Sequence, residues 1–279
     1  MPVVKLTRGR FGEPTAEQKL LWCPIYEGIL GIVGPTGVII PMGDTNHENA
    51  GRTTCTGIGD EQPVFTYSEA VTAFDTPPYF LGPARIPIIC FNGTDEEADT
   101  PDAAFWSRDD AGGANGFSLR IWANITAIGA SRCFIAKYDE TSSLREWILF
   151  HNANHTMRLF LFDESADEDA YRDSDSAITM GSLHQFAATY DGRGSAAAAD
   201  GITLYEDGVV IASSPSGLGS YVGMEDLGGA VTLGRNVGGE RFFPGEMAGG
   251  PLGPLWVPGE LTADQVLRLY QHERVALGV

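Results

Sequence analysis

The stretch that begins at His184 constrains the fold more than any other part of the chain. It reads HQFAATYDG, a polar loop RGSAAAADG, then ITLYEDGVVIASS. Asp207-Gly208 falls between two β-rich runs. An Asp-Gly pair there specifies a two-residue hairpin turn, because both central positions need positive φ and the twist of such a turn matches its strands. The turn pairs Glu206 with Val209, Tyr205 with Val210 and Leu204 with Ile211. Ile202, Leu204 and Ile211 then share one buried face. RGSAAAADG reads as a loose linker into this hairpin. The segment fixes architecture and carries no catalytic chemistry of its own.

The same alternation recurs upstream. FSLRIWANI places Phe117, Leu119, Ile121, Ala123 and Ile125 on one face, with Ser118, Arg120, Trp122 and Asn124 on the other. CFIAKYD reads as a further strand. REWILFHN and TMRLFLFD flank a polar tip, His151 to His155, and read as a hairpin. Residues 20–110 are poor in strand periodicity, with short apolar runs between Gly, Pro, Asp and Asn clusters. Near the end, Thr262 and Gln265 form a capping box ahead of Val266, Leu269, Tyr270 and Ala276 or Leu277 at helical spacing. One helix packed across a sheet edge or sandwich end is expected there, with a structural role. With 35 Gly and 16 Pro in 279 residues, the chain has the turn supply of an all-β domain.

Charge bounds the partners. The net charge is −19, unevenly spread. Residues 1–20 hold Lys5, Arg8, Arg10 and Lys19 against Glu13 and Glu17, a net of +2, so the remainder carries −21. An acidic body repels nucleic acid and anionic membrane, and neither is expected as a partner. Residues 1–19 read as an extended basic arm able to lie on an acidic surface, and as a frayed terminus otherwise. No apolar run approaches the roughly 18 residues that span a bilayer, and no signal peptide is visible. Cys23, Cys55, Cys90 and Cys133 form no CxxC pair and read as free thiols.

Six motifs in order carry a resemblance. LWCPIYEG with GPTG resembles an opening strand and turn. ARIPIICFNGTDEEADTPD resembles an "FDGTDDYVxxPD" strand and loop, with Asn92 where Asp is usual. FSLRIWANI is similar to "FTISAWV", and the hairpin segment to "HVAxTYDG…LYVDGxxV". VTLGRN, then FFPGEMAGGPLGPLWVPGELTADQVLRLY, resembles the closing "LxIG…FFxGxIDxxxIxxxxLTxxEI" segment. The chain thus resembles the laminin G-like branch of the concanavalin A-like lectin/glucanase superfamily, of the type found in structural proteins of tailed bacteriophages. That resemblance implies a jelly-roll sandwich of two antiparallel sheets, roughly six or seven strands each, over residues 20–279. In the closing segment Ala248 stands where many relatives carry an Asp beside a calcium site. No cofactor is therefore expected, and the family calcium is in doubt.

Most site chemistry is missing. Retaining glucanases of this superfamily use E-x-D-x-x-E on a strand, and no such run exists, so the reading is a non-enzymatic protein. Asp163, Glu164, Asp167, Glu168, Asp169, Asp173 and Asp175 lie in a Ser/Ala/Asp-rich stretch read as a solvated loop, with cation binding as the alternative. His151 and His155 flank a turn between strands, which does not suit a metal pair. His47, His184 and His272 show no adjacent Ser or Cys constellation. Trp122, with Arg120 and Asn124 beside it, is the candidate sugar-stacking residue if that face is open, and a loop-covered aromatic if it is not.

The functional expectation is a virion structural protein of a tailed phage, a capsid decoration or head-fibre component on the head exterior, made in the host cytoplasm. Lys5, Arg8, Arg10 and Lys19 are its candidates for docking on the major capsid protein or another virion protein, in multiple copies or as a homo-oligomer. The alternative is a carbohydrate-binding adhesion module, on a tail or secreted.

Overall fold

Alternating apolar residues build the strands, and both sheets turn their apolar sides toward one shared core. A computed structural model of the chain describes residues 16–42, 53–69, 75–76, 79–113, 115–127, 129–217, 219–239 and 241–279, with residues 16–21 described as backbone alone. The first strands are short: β1 (Val38–Ile39), β2 (Thr54–Thr56), β3 (Val64–Tyr67), β4 (Tyr79–Leu81), β5 (Ile86–Asn92) and β6 (Ala98–Thr100). The long ones follow as β7 (Phe117–Ile125), β8 (Arg132–Asp139), β9 (Leu144–His151), β10 (Met157–Asp163), β11 (Glu168–Ser174) and β12 (His184–Tyr190). The last are β13 (Ile202–Glu206), β14 (Val209–Val210), β15 (Ser213–Gly217), β16 (Val231–Leu233), β17 (Pro244–Ala248) and β18 (Leu255–Val257). Helices α1 (Ala16–Val33) and α2 (Ala263–Leu277) flank this series.

Among the described residues the strands form two antiparallel sheets of nine. The first runs β14-β13-β12-β7-β17-β5-β4, with β18 pairing β7 and β1 pairing β18. The second runs β15-β11-β10-β9-β8-β16-β6-β3-β2. Each sheet exceeds the six or seven strands expected, because short pairings such as β2 with β3 and β4 with β5 extend the edges. The core between the sheets holds the inward residues of FSLRIWANI together with Phe134, Trp147, Leu159, Leu161, Phe186, Leu204 and Trp256. Trp256 stacks on Phe117 at 4.8 Å and on Trp147 at 4.9 Å between ring centroids. Such pairs contribute about 0.5–1.5 kcal/mol each beyond the area they bury.

The hairpin follows its sequence. Tyr205 pairs with Val210 and Glu206 with Val209, the Ile211 amide donates to the Leu204 carbonyl, and Asp207 and Gly208 have φ of 51° and 77°. The preceding RGSAAAADG is not loose. Ser195–Gly201 winds into a 3-10 turn that buries Ala198 and Ala199. The acidic stretch is likewise not a loop. Residues 168–174 are strand β11, paired along its length with β10. Asp163 at the end of β10 accepts from the amides of Val222 and Gly223 on one oxygen and from Ala166 on the other. Burial raises its pKa, but those amides outweigh burial and the net shift is downward. All four cysteines are free thiols, and burial pushes the Cys55 thiol up to about 12.

The largest departure lies at the start. LWCPIYEG is not an opening strand but part of α1, so residues 16–19 are helical rather than the end of an extended arm. Trp22, Ile25, Tyr26, Ile29 and Leu30 recur at helical spacing and are buried. Pro24 lies inside the helix on its exposed side. The Trp22 indole donates to the Ala84 carbonyl at 2.8 Å. Helix α2, capped by Thr262 and Gln265 as its sequence indicates, packs beside α1. Gln265 Nε2 donates to the Ile32 carbonyl at 3.0 Å. Gly28 lets α1 close on His272: a Cβ there would come within 2.2 Å of the imidazole, which would have to move.

Candidate functional site

The two outer faces of the sandwich differ in what covers them. On the first sheet, α1 and α2 cover Trp122, Ala187 and Tyr205, which join the helices in one apolar cluster. Trp122 is 1% exposed, stacks on Tyr270 at 5.8 Å and donates its indole N–H to Glu273 Oε2 at 2.6 Å. It cannot receive a sugar ring, so the sugar-stacking expectation is corrected: its face is closed by α2. Arg120, beside it, is ion-paired to Glu273 at 2.9 Å and donates to the carbonyls of Leu252 and Gly253. Gln185 completes the network with a 2.9 Å bond to Glu273. The face that alternation directs outward is therefore a buried polar layer under a helix.

The second sheet presents a different outer face. Its side-chain cluster, built on Cys133, Ala136, Tyr138, Ile148, Phe150, Phe162 and the half-buried Phe160, contains no helix residue. Register sets opposite pairs across β10 and β11: Arg158 with Asp173, Phe160 with Tyr171, Phe162 with Asp169. Across β9, Phe160 faces Ile148 and Arg158 faces Phe150. Phe160 stacks with Tyr171 at 5.6 Å and 17°, and with Phe162 at 6.1 Å and 15°. Arg158 lies 3.8 Å over Tyr171, and Arg145 lies 3.8 Å over Phe162.

Carboxylates clamp both arginines. Arg158 donates two hydrogen bonds to Asp173, and Arg145 donates to both oxygens of Glu164 at 2.7 and 2.8 Å. The Arg145 hydrogen bonds hold Glu164 below the usual carboxylate range. Asn152 donates to Asp173 at 2.9 Å, and burial raises the pKa of Asp169. The result is a fixed patch in which Phe160 and Tyr171 are partly exposed and Phe162 is buried beneath Arg145, bordered by guanidinium and carboxylate groups. Such a surface suits a polyhydroxylated ring, whose C–H face meets aromatic carbon and whose hydroxyls meet charged acceptors and donors. One signal for it is local: in MRLFLFD the inward Leu159 and Leu161 alternate with Arg158, Phe160 and Phe162 on the far face.

The remaining candidates separate. Lys5, Arg8 and Arg10 lie outside the described residues, and Lys19 falls within α1. His151 and His155 do approach, with ring centroids 5.5 Å apart. Among the described residues no group of three or more His, Cys, Asp or Glu side chains could hold a metal ion. Ala248, where many relatives carry an Asp beside a calcium site, is fully buried in the apolar cluster beneath the helices and offers no carboxylate. The residues here do not fit that ion. No described helix is long and apolar enough to cross a membrane.

Comparison with known proteins agrees with this architecture. No curated protein matches the sequence. Among solved structures, the binding domain of botulinum neurotoxin serotype D/C VPI 5993 is similar with a TM-score of 0.54 at 10% identity, over 86% of this chain and 52% of that one. A botulinum neurotoxin type C structure, described by cell entry dependent on two ganglioside molecules, gives 0.54 at 9%, over 87% and 52%. The binding domain of botulinum neurotoxin DC in complex with SialylT gives 0.52 at 10%, over 86% and 52%. This chain spans about half the length of those domains, and at such identity the likeness is one of fold. Residues 92–249, more than half of the chain, match the Laminin_G_3 family, and with the two-sheet sandwich in place the chain belongs to that branch of the concanavalin A-like lectin/glucanases superfamily.

Proposed function

We propose that this protein is a glycan-binding module without glucanase chemistry that uses the helix-free outer face of its second sheet, and that it serves as a decoration or head-fibre component on the exterior of a tailed-phage head. The observation that carries the binding role is the aligned row of Tyr171, Phe160 and Phe162 with Arg158 and Arg145 held over it. Interaction with gangliosides and a complex with SialylT in the similar botulinum domains support glycan as the ligand class. Binding of this kind is weak per site, and multiple copies on a particle raise its avidity.

The phage role is supported by the resemblance of the motifs and by the basic start, Lys5, Arg8, Arg10 and Lys19, on an acidic chain. A capsid or other virion protein is the partner it would dock on. A glycan array probed with the whole protein tests the binding role: Tyr171→Ala and Arg158→Ala should each abolish the signal while the fold persists. An array signal unchanged by both variants would overturn the assignment of this face. Electron cryomicroscopy of particles assembled with and without residues 1–15 tests the docking role. Bound density independent of those residues would remove the arm from it, and absence of the protein from particles would remove the virion role.

A further inference from the structure

At the start of β12 the fold assembles a constellation that neither the core nor the aromatic face uses. Ser182 Oγ lies 2.9 Å from His184 Nε2, and His184 Nδ1 lies 2.7 Å from Asp207 Oδ2. The other oxygen of Asp207 accepts the Gln185 amide at 3.0 Å, while the Asp207 amide donates to the Gln185 carbonyl at 2.8 Å. The carboxylate is thereby fixed against the imidazole by the turn that sets the hairpin. A carboxylate on Nδ1 favours the tautomer with its proton there, which leaves the Nε2 lone pair to accept from the serine hydroxyl. Nucleophile, base and orienting carboxylate thus stand in working order.

Access is open. Ser182 is exposed, while His184 and Asp207 are 20% and 32% exposed. Gly181 precedes the serine at φ 84°, with open space where a side chain would sit. The amides of Ser182 and Leu183 donate to no acceptor among the described residues. Sequence alone hides the group, since Asp207 is 23 positions from His184.

We propose that Ser182, His184 and Asp207 form an acyl-accepting relay for small carboxylic esters. The Ser182 oxygen bonds to the ester carbonyl carbon as its proton passes to His184 Nε2. The bond from that carbon to the alkoxide oxygen breaks, and the leaving alkoxide takes the proton from His184. Water then attacks the acyl-serine by the same sequence, releasing the acid and restoring the hydroxyl. Asp207 touches the imidazole and the Gln185 backbone but no reacting atom, and is a positioning residue. The relay is separate from the aromatic face and does not depend on glycan binding.

The test uses the whole protein and p-nitrophenyl acetate. A burst of nitrophenolate and a single acetyl group on the Ser182 peptide are expected. Ser182→Ala, at an exposed position, should melt with the parent and lose both. His184→Gln should slow acylation by about 10²-fold. Asp207→Asn keeps the turn, because Asn-Gly favours the same geometry. It should slow acylation at saturating ester while the KM for the ester and the melting midpoint stay near the parent values. Acetyl groups on other residues with Ser182 unlabelled, or a Ser182→Ala variant that reacts at the parent rate, would overturn the proposal.

Discussion

The outer faces of the two sheets are built from the same kind of strand and end in opposite states. On the first, Arg120 and Trp122 alternate with core residues and lie under α2, bound to Glu273. On the second, Arg158 and Phe160 alternate with core residues just as regularly, yet no helix residue joins their cluster. In both cases aromatic and arginine side chains neighbour each other. Under the helix they become a desolvated ion pair and a packed ring. Without it they become cation–π stacks whose arginines are partly exposed, over a partly exposed Tyr171 and a buried Phe162. Alternation says which residues share a face, and a covering element decides whether that face is core or surface.

Removing one charge from each face should separate them most sharply. Glu273→Ala leaves Arg120 buried without its partner and should cost about 3–5 kcal/mol, read as a drop in the urea midpoint. A loss below about 1 kcal/mol would mean that water reaches Arg120. The next effect is on pH dependence. Burial first, then His155 and Arg132, holds the His151 imidazole down to about 4 from its ordinary value of 6.5. Between those values the unfolded chain binds more protons than the folded one, so stability rises with pH across the window and is lost as pH falls from about 6.5 to about 4. His151→Gln should flatten that acid limb, and an unchanged limb would assign it to carboxylates instead.

Smaller effects probe the cover and then the open face. Thr262→Ala removes the cap of α2 and should cost about 1 kcal/mol, with faster hydrogen exchange in the first turn of α2. Arg158→Ala should cost least, about 0.5–1 kcal/mol for a partly exposed cation–π and ion pair. Its melting midpoint should stay near the parent value while glycan binding is lost. A large stability loss there would make the open face a packing surface rather than a binding one.

Much of the fold was legible in local pattern. The Asp207-Gly208 turn, the inward set of FSLRIWANI, the β9–β10 hairpin and the Thr262 cap all follow from spacings of a few residues, and the structure keeps each of them. Helix α1 was legible in principle, since its buried residues recur at helical spacing. Pro24, Gly28 and Gly31 obscure it, because each lowers helix propensity and tertiary packing overrides them. The acidic residues of β11 hid a strand for a similar reason: pairing with β10 on one side and β15 on the other outweighs their poor β propensity.

The site was less legible than the fold. Trp122 was the natural candidate on an outward face, and its closure depends on Glu273, 151 positions away. The Ser182–His184–Asp207 group depends on a turn that brings Asp207 back to β12. The sequence by itself determined the inward residues of the long strands, the tight hairpin and a capped C-terminal helix, because these rest on periodicity and turn chemistry within one segment, while the two-sheet sandwich was legible only through the family resemblance. Only the tertiary structure decided which outer face is covered. That choice rests on contacts between distant segments, such as His272 with Ile25 and Trp22 with Ala84, and no local spacing encodes them.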